Sequence, residues 1–200
     1  MEEKTQEIVV QSSSLFMRLG VKSLTMDELA FRLGISKKTL YNHVRDKNDL
    51  VLRCMKYIQT NNQSNMDQAC QESSNAIEEL RMSSEIARGV FRNMQPSVFF
   101  DLQKYYPKAW KVFLDFKNEY MYNCIVSNIE RGKSEGLYRD DVKTELVSLL
   151  YLNLINGVFD SNSPFHNKFP FGDLHHEMVI YHLHGIANEK GLKLIRKYFD

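Results

Sequence analysis

The chain has few of the residues that build stapled or metal-bound folds. Its 200 residues include three cysteines, Cys54, Cys70 and Cys124, an odd number with no Cys-x-x-Cys spacing. That argues for reduced thiols in a cytosol and against a disulfide framework. Four prolines and nine glycines leave long stretches uninterrupted, and no alternating strand pattern stands out, so an all-α fold is expected. The most apolar run, Leu146 to Phe159, is too short to span a bilayer and contains Ser148, Asn153 and Asn156. The first residues, MEEKTQEI, lack the basic-then-apolar order of a secretory signal. A cytoplasmic location with no membrane partner is expected. Nucleophile elbow, P-loop, dinucleotide fingerprint and Ser/His/Asp arrangement are all missing, so no catalytic residue, no cofactor and no enzymatic activity is expected. Five of the six histidines fall late, at His166, His175, His176, His182 and His184. The second histidine of a His-Glu-x-x-His motif is replaced by Ile180, so surface or interface histidines are expected rather than a metal site.

What is present is a chain that is 43% hydrophobic and 26% charged, enough to bury a core. Its charge is unevenly placed. Residues 1–56 carry a net +3 and the remainder a net −2, which suits a basic nucleic-acid reader on a mildly acidic body. The organising stretch is MDELAFRLGISKKTLYNHVRDK, Met26 to Lys47. Leu29, Ala30 and Leu33 share one face of a short helix, with Thr25 and Glu28 forming a capping-box pattern before it. Gly34 supplies the left-handed stop. Ser36 caps a second helix through Leu40 and Val44, whose other sides carry Lys37, Lys38, Thr39, Tyr41, Asn42 and His43. These amines, hydroxyls, amide and imidazole are the groups that meet phosphates and base edges in a major groove. The spacing predicts a DNA-binding helix-turn-helix.

At Ile35-Ser36-Lys37-Lys38-Thr39-Leu40-Tyr41-Asn42-His43-Val44, followed by Asp46-Lys47-Asn48-Asp49-Leu50, the sequence resembles the DNA-binding domain of the TetR/AcrR family. The likeness covers roughly residues 4 to 55. It departs at Val44, where the family more often has Phe, and at Lys38, where many members have Gly. The resemblance implies a homodimeric transcription regulator with a variable, usually ligand-binding, C-terminal domain. It also implies that Tyr41, His43 and Lys47 contact phosphates. Thr25, Ser36, Lys37, Lys38, Thr39 and Asn42 complete the expected DNA-binding set.

Along the chain, helices are expected over Lys4–Leu19, from Asp46 onward, Asn75–Met94, Ser97–Tyr105, Lys108–Gly132, Val142–Asp160, Asp173–Asn188 and Gly191–Phe199, with a loop over Ser161–Gly172. The polar run Gln59–Ser74 reads equally as a long helix or a joint. Domains are expected at 1–56 (DNA-binding) and 57–200 (effector-binding and dimerisation). The nearly unbroken apolar circumference of Val142–Asp160 predicts a homodimer made with Asp173–Asn188, with Leu149 and Leu183 at the interface. Ten of the twenty-three aromatics lie between Phe91 and Tyr122. Phe91, Met94, Phe99, Tyr106, Trp110, Phe113 and Tyr120, with Asn153 and Asn156 as polar handles, are expected to line a pocket for a small aromatic or lipophilic ligand. The expected function is a repressor released from its operator by that ligand. The alternative is a DNA-binding regulator without small-molecule effector, gated by a protein partner or constitutive.

Overall fold

A computed structural model describes residues 2–92, 94–159 and 168–199. Among them lie eleven α-helices: α1 (Glu2–Leu19), α2 (Met26–Arg32), α3 (Lys37–His43), α4 (Lys47–Glu72), α5 (Ala76–Phe91), α6 (Ser97–Tyr105), α7 (Pro107–Asp115), α8 (Tyr122–Ser134), α9 (Thr144–Phe159), α10 (Phe171–Ile186) and α11 (Glu189–Phe199). A π-helical turn, Phe116–Met121, separates α7 from α8. No strand forms among the described residues; one antiparallel bridge pairs Tyr138 with Ala187. The fold is all-α. The expected loop over Ser161–Gly172 falls mostly outside the described residues, as does His166.

Contacts divide the chain into two units, residues 1–62 with 93–116, and residues 63–92 with 117–200. A single cut near residue 56 describes this less well, because α6 and α7 join the first unit. The reason lies in their packing. Val98, Phe99, Leu102, Ala109 and Phe113 are buried, and the Asp101 carboxylate accepts the Lys22 backbone N–H at 2.8 Å. The Gln95 N–H donates to the Met17 carbonyl at 2.8 Å, so the segment is fastened to the end of α1 at two points. Around α1–α4 the core is Ile8, Phe16, Leu24, Leu29, Leu40, Leu50 and Val51, all under a tenth exposed.

The second unit is built on Ala76, Ile77, Ile129, Tyr138, Leu152, Ile155, Val179 and Leu183. Asn75 caps α5 by accepting from the Ile77 and Glu78 N–H groups. Gly132 is required by a close approach: a Cβ there would sit 2.1 Å from the buried Tyr138 ring. Arg131 gathers three segments. Its guanidinium donates to Glu79 at 2.8 Å, to Glu135 at 2.7 Å, to the Ser73 hydroxyl at 2.9 Å and to the Ser73 and Cys70 carbonyls. Removing it leaves the buried Glu79 carboxylate without a cation. Arg131→Ala is therefore expected to cost about 2–3 kcal/mol, the usual penalty for orphaning a largely buried charge, discounted for Arg131's partial exposure. A urea titration of both proteins measures it, and a loss under about 0.5 kcal/mol would show the network to be superfluous.

Two elements differ from the sequence expectation. The single helix expected over Lys108–Gly132 is interrupted by the π turn. The helix expected from Val142 starts later, at Thr144, and Asp141 just before it pairs with Arg139.

Candidate nucleic-acid interface and effector cavity

In the first unit the helix-turn-helix forms through local chemistry. The Thr25 hydroxyl accepts the Glu28 N–H at 3.1 Å, and Ser36 accepts the Thr39 N–H at 3.0 Å, satisfying donors that each helix start leaves open. Glu28's carboxylate is engaged by Arg32, one turn on. Gly34 sits at φ +66°; its N–H reaches the Phe31 carbonyl, and the Ile35 N–H reaches that of Ala30. This pair of hydrogen bonds is the Schellman ending. Leu40 and Val44 are buried beneath α3, so its remaining sides face out.

The structure distributes the nine expected DNA-binding residues unequally. Lys38, Tyr41 and Asn42 are exposed on α3. Lys37 is exposed but pairs with Asp27 at 2.6 Å, a surface ion pair worth little and readily exchanged for a phosphate. Thr25 and Ser36 serve as caps, and the Thr39 hydroxyl is shared with Ser36 at 2.8 Å. His43 is tied back to α1, its Nδ1 lying 2.8 Å from the Thr5 hydroxyl, so Nε2 is the nitrogen left for a phosphate. Lys47 is half-buried, its ammonium donating to the Lys22 carbonyl at 3.2 Å; burial holds its pKa below the usual lysine value. Thr5, which fixes the His43 ring, carries no sequence signal, because it lies 38 positions away.

The second unit contains a partly open cavity of about 330 Å³ lined by α4, α5, the π turn, α8, α9 and α10. Its wall is mostly apolar, with Met66, Leu80, Met121, Ile125, Ile155 and Val179. The Tyr120 hydroxyl donates at the rim to Asp67 at 2.5 Å and to the Gln63 carbonyl at 3.2 Å. That partnership, with burial as the larger cause, raises the phenol's pKa. Cys70, Cys124 and His175 also reach the cavity. Burial raises the pKa of both thiols, which keeps them protonated and weakly nucleophilic.

Of the nine residues expected to line a ligand pocket, Tyr120 lines this cavity. Phe91 stands behind it, its ring 6.5 Å from that of His175. Phe99, Trp110 and Phe113 pack on one another in the first unit, with centroids 5.0 to 6.3 Å apart, and Met94 and Tyr106 belong to that unit too. Asn153 is exposed on α9 and donates to the Leu149 carbonyl, and Asn156 donates to Asn153. Residues the sequence did not single out make most of the wall. They come as one-turn pairs on separate helices, such as Asp67 with Cys70, Tyr151 with Ile155, and His175 with Val179, and only tertiary packing brings them together.

Two of the late histidines also depart from a surface placement, whereas His184 is exposed. His175 and His182 are buried on α10, and burial lowers the pKa of each to about 4. Among the described residues no cluster of His, Cys, Asp or Glu suits a metal, and no helix is long and apolar enough to cross a membrane.

A capped helix-turn-helix with an exposed basic and amide face, carried on a helical body, defines a DNA-binding regulator. The model for bacterial regulatory proteins of the tetR family matches residues 8–54. The chain is similar to the HTH-type transcriptional regulator YvaF of Bacillus subtilis (strain 168), with 26% identity across 92% of this chain and 96% of that protein. It is also similar to the HTH-type transcriptional activator FasR of Mycolicibacterium smegmatis, with 26% identity across 60% of this chain and 48% of that one. The fold matches a transcriptional regulator from Saccharomonospora viridis solved in complex with choline, with a TM-score of 0.74, 17% identity, and coverage of 94% and 100% of the two chains. Over residues 8–54 the chain is therefore similar to bacterial regulatory proteins of the tetR family, and over most of its length to an HTH-type transcriptional regulator.

Proposed function

We propose that the chain is a homodimeric repressor that leaves its operator when a small apolar or aromatic molecule fills the cavity of the second unit. The cavity carries this reading. It lies within the size range of small-molecule sites and combines an apolar wall with a few convergent polar groups. A core packed solid throughout would have favoured the alternative, a regulator gated by a protein partner or constitutive. The choline bound by the Saccharomonospora viridis regulator is consistent with a small-molecule site on this fold.

Coupling to DNA follows from α4. It is one continuous helix from Lys47 to Glu72, carrying the cavity residues Met66, Asp67 and Cys70 and, toward its start, the reader's core residues Leu50 and Val51. A ligand that presses on Met66 or displaces Tyr120 from Asp67 moves this rod. It releases DNA only to the extent that it binds the displaced state more tightly.

The dimer face in this reading is the outer side of α9 and α10. Leu146, Leu149, Leu150 and Leu154 on α9, and Leu174 and Tyr181 on α10, are exposed large apolar residues. Such a cluster marks an interaction surface. Leu183, expected at the interface, is 0% exposed and belongs to the core. Two readers so joined would sit in successive major grooves about 34–36 Å apart on a near-palindromic site.

The test selects an operator from random duplexes, then screens aromatic and lipophilic compounds for a raised melting temperature and operator release. At a hundredfold excess over Kd a ligand contributes about 2.7 kcal/mol of stability. If no compound changes either signal, the ligand-gated reading fails and the partner-gated one stands. If hits strengthen operator binding, the protein is a ligand-dependent binder instead.

A further inference from the structure

We propose that His175 is the hydrogen-bonding handle of the cavity, and that the ligand is an uncharged amphiphile whose hydroxyl, carbonyl or amide pairs with the imidazole. The proposal rests on the reading of that cavity as the effector site.

Three observations converge on this residue. His175 lines the cavity and is 8% exposed, and its Nδ1 has no hydrogen-bond partner among the described residues. Buried polar nitrogens of this kind are rarely left unsatisfied, and the exceptions call for an explanation. The wall around the cavity also decides which groups can supply the missing bond. No lysine or arginine lines it, whereas Asp67 and Glu79 do. An anionic head group would enter with no cation beside it and two carboxylates nearby, so a carboxylate or phosphate ligand is disfavoured. A cationic head finds no free buried counter-charge either. Glu79 is already held by Arg131 at 2.8 Å, and Asp67 is exposed at the rim, bonded to Tyr120.

The state of the imidazole agrees with a neutral partner. Burial, and then the neighbouring His176, lower its pKa to about 4, so at pH 7 it offers one N–H and one lone pair. A hydroxyl can meet either tautomer, because it both donates and accepts. The rest of the ligand is set by Leu80, Met121, Ile125, Tyr151, Ile155 and Val179, which suit an aliphatic or aromatic body.

The experiment compares three probes with one body and three heads: 4-phenylbutan-1-ol, 4-phenylbutanoate and 4-phenylbutyltrimethylammonium. Each is titrated calorimetrically and by thermal melt into the full-length protein and into His175→Phe and His175→Gln. The alcohol is expected to bind wild type at least tenfold more tightly than either charged probe. Its affinity is expected to fall about tenfold in His175→Phe, the equivalent of one lost hydrogen bond. His175→Gln keeps a donor and an acceptor and is expected to stay within about threefold of wild type, which keeps the test valid if His175→Phe folds poorly. Alcohol binding indifferent to both substitutions, or a charged probe binding more tightly, overturns the role of His175 and leaves the cavity as effector site standing. If none of the three probes binds, the proposed head-group class is wrong. If the wider compound screen is silent as well, the effector reading falls with it.

Discussion

Leu150→Glu is expected to convert the protein to a folded, soluble monomer that has lost at least a hundredfold in operator affinity. Leu150 is 64% exposed in the single chain, so a carboxylate there costs the isolated fold almost nothing. In an α9–α10 dimer the same carboxylate would be buried on both sides of the symmetry axis, against Leu146, Leu154 and Tyr181. Interfaces of this obligate kind resemble a domain core cut in half, and an unpaired charge in one is expensive. DNA affinity falls with the dimer because the second reader no longer binds at high effective concentration, a gain of about 10²–10⁴ when two sites are linked. The control is Leu183→Glu. With no exposed surface, it puts charge into the core and is expected to give insoluble or unfolded protein. Sedimentation, circular dichroism and operator binding separate the two outcomes. A Leu150→Glu protein that still sediments as a dimer would place the interface elsewhere, and a wild-type monomer at micromolar concentration would remove it altogether.

The reader was legible in the sequence because the signals that build it act over four or five residues. Thr25 and Ser36 reach N–H groups three positions on, and Gly34 needs no distant partner to adopt its positive φ. The polar stretch Gln59–Ser74 carried no such signal. It is helical almost to its end, and what fixes it comes from elsewhere in the chain: Arg131 binds the Cys70 and Ser73 carbonyls, and Tyr120 binds the Gln63 carbonyl. The π turn at Phe116–Met121 was hidden for a different reason. Apolar spacing on either side of it is helical, and one widened turn rotates the buried face without breaking the pattern. That rotation matters to the site, since Tyr120 and Met121 lie on the turn and line the cavity. The aromatic richness of Phe91–Tyr122 was visible, but its destination was not. Phe99, Trp110 and Phe113 satisfy one another by ring packing in the first unit. The cavity wall was left to scattered pairs whose only common property is three-dimensional.

On the recognition helix, Lys38→Ala and Asn42→Ala are expected to change which bases are preferred, whereas Lys47→Ala is expected to weaken all duplexes alike. Lys38 and Asn42 are exposed on α3, so their amine and amide can meet base edges. A bidentate amide on adenine, or an amine on guanine, discriminates by about 1–3 kcal/mol per contacted base pair. A dimer makes each contact twice, so either substitution should lower specific binding by about thirtyfold to about ten-thousandfold or more while leaving random duplex nearly unchanged. Lys47 stands outside α3, at the start of α4, held against the Lys22 carbonyl. From there it meets the backbone of DNA rather than its bases. Its removal should flatten the logarithmic salt dependence by about one unit for each phosphate it neutralises. Its half-burial makes the outcome informative: turning toward a phosphate costs the bond to Lys22, so the gain is smaller than for a free lysine. Binding of operator and random duplex is measured over a salt series for wild type and the three variants. Should Lys47→Ala impair the operator alone, with an unchanged salt slope, the lysine positions the Lys22 turn instead of touching DNA. Should Lys38→Ala and Asn42→Ala lower random-duplex binding as much as operator binding, α3 is not the element that reads sequence.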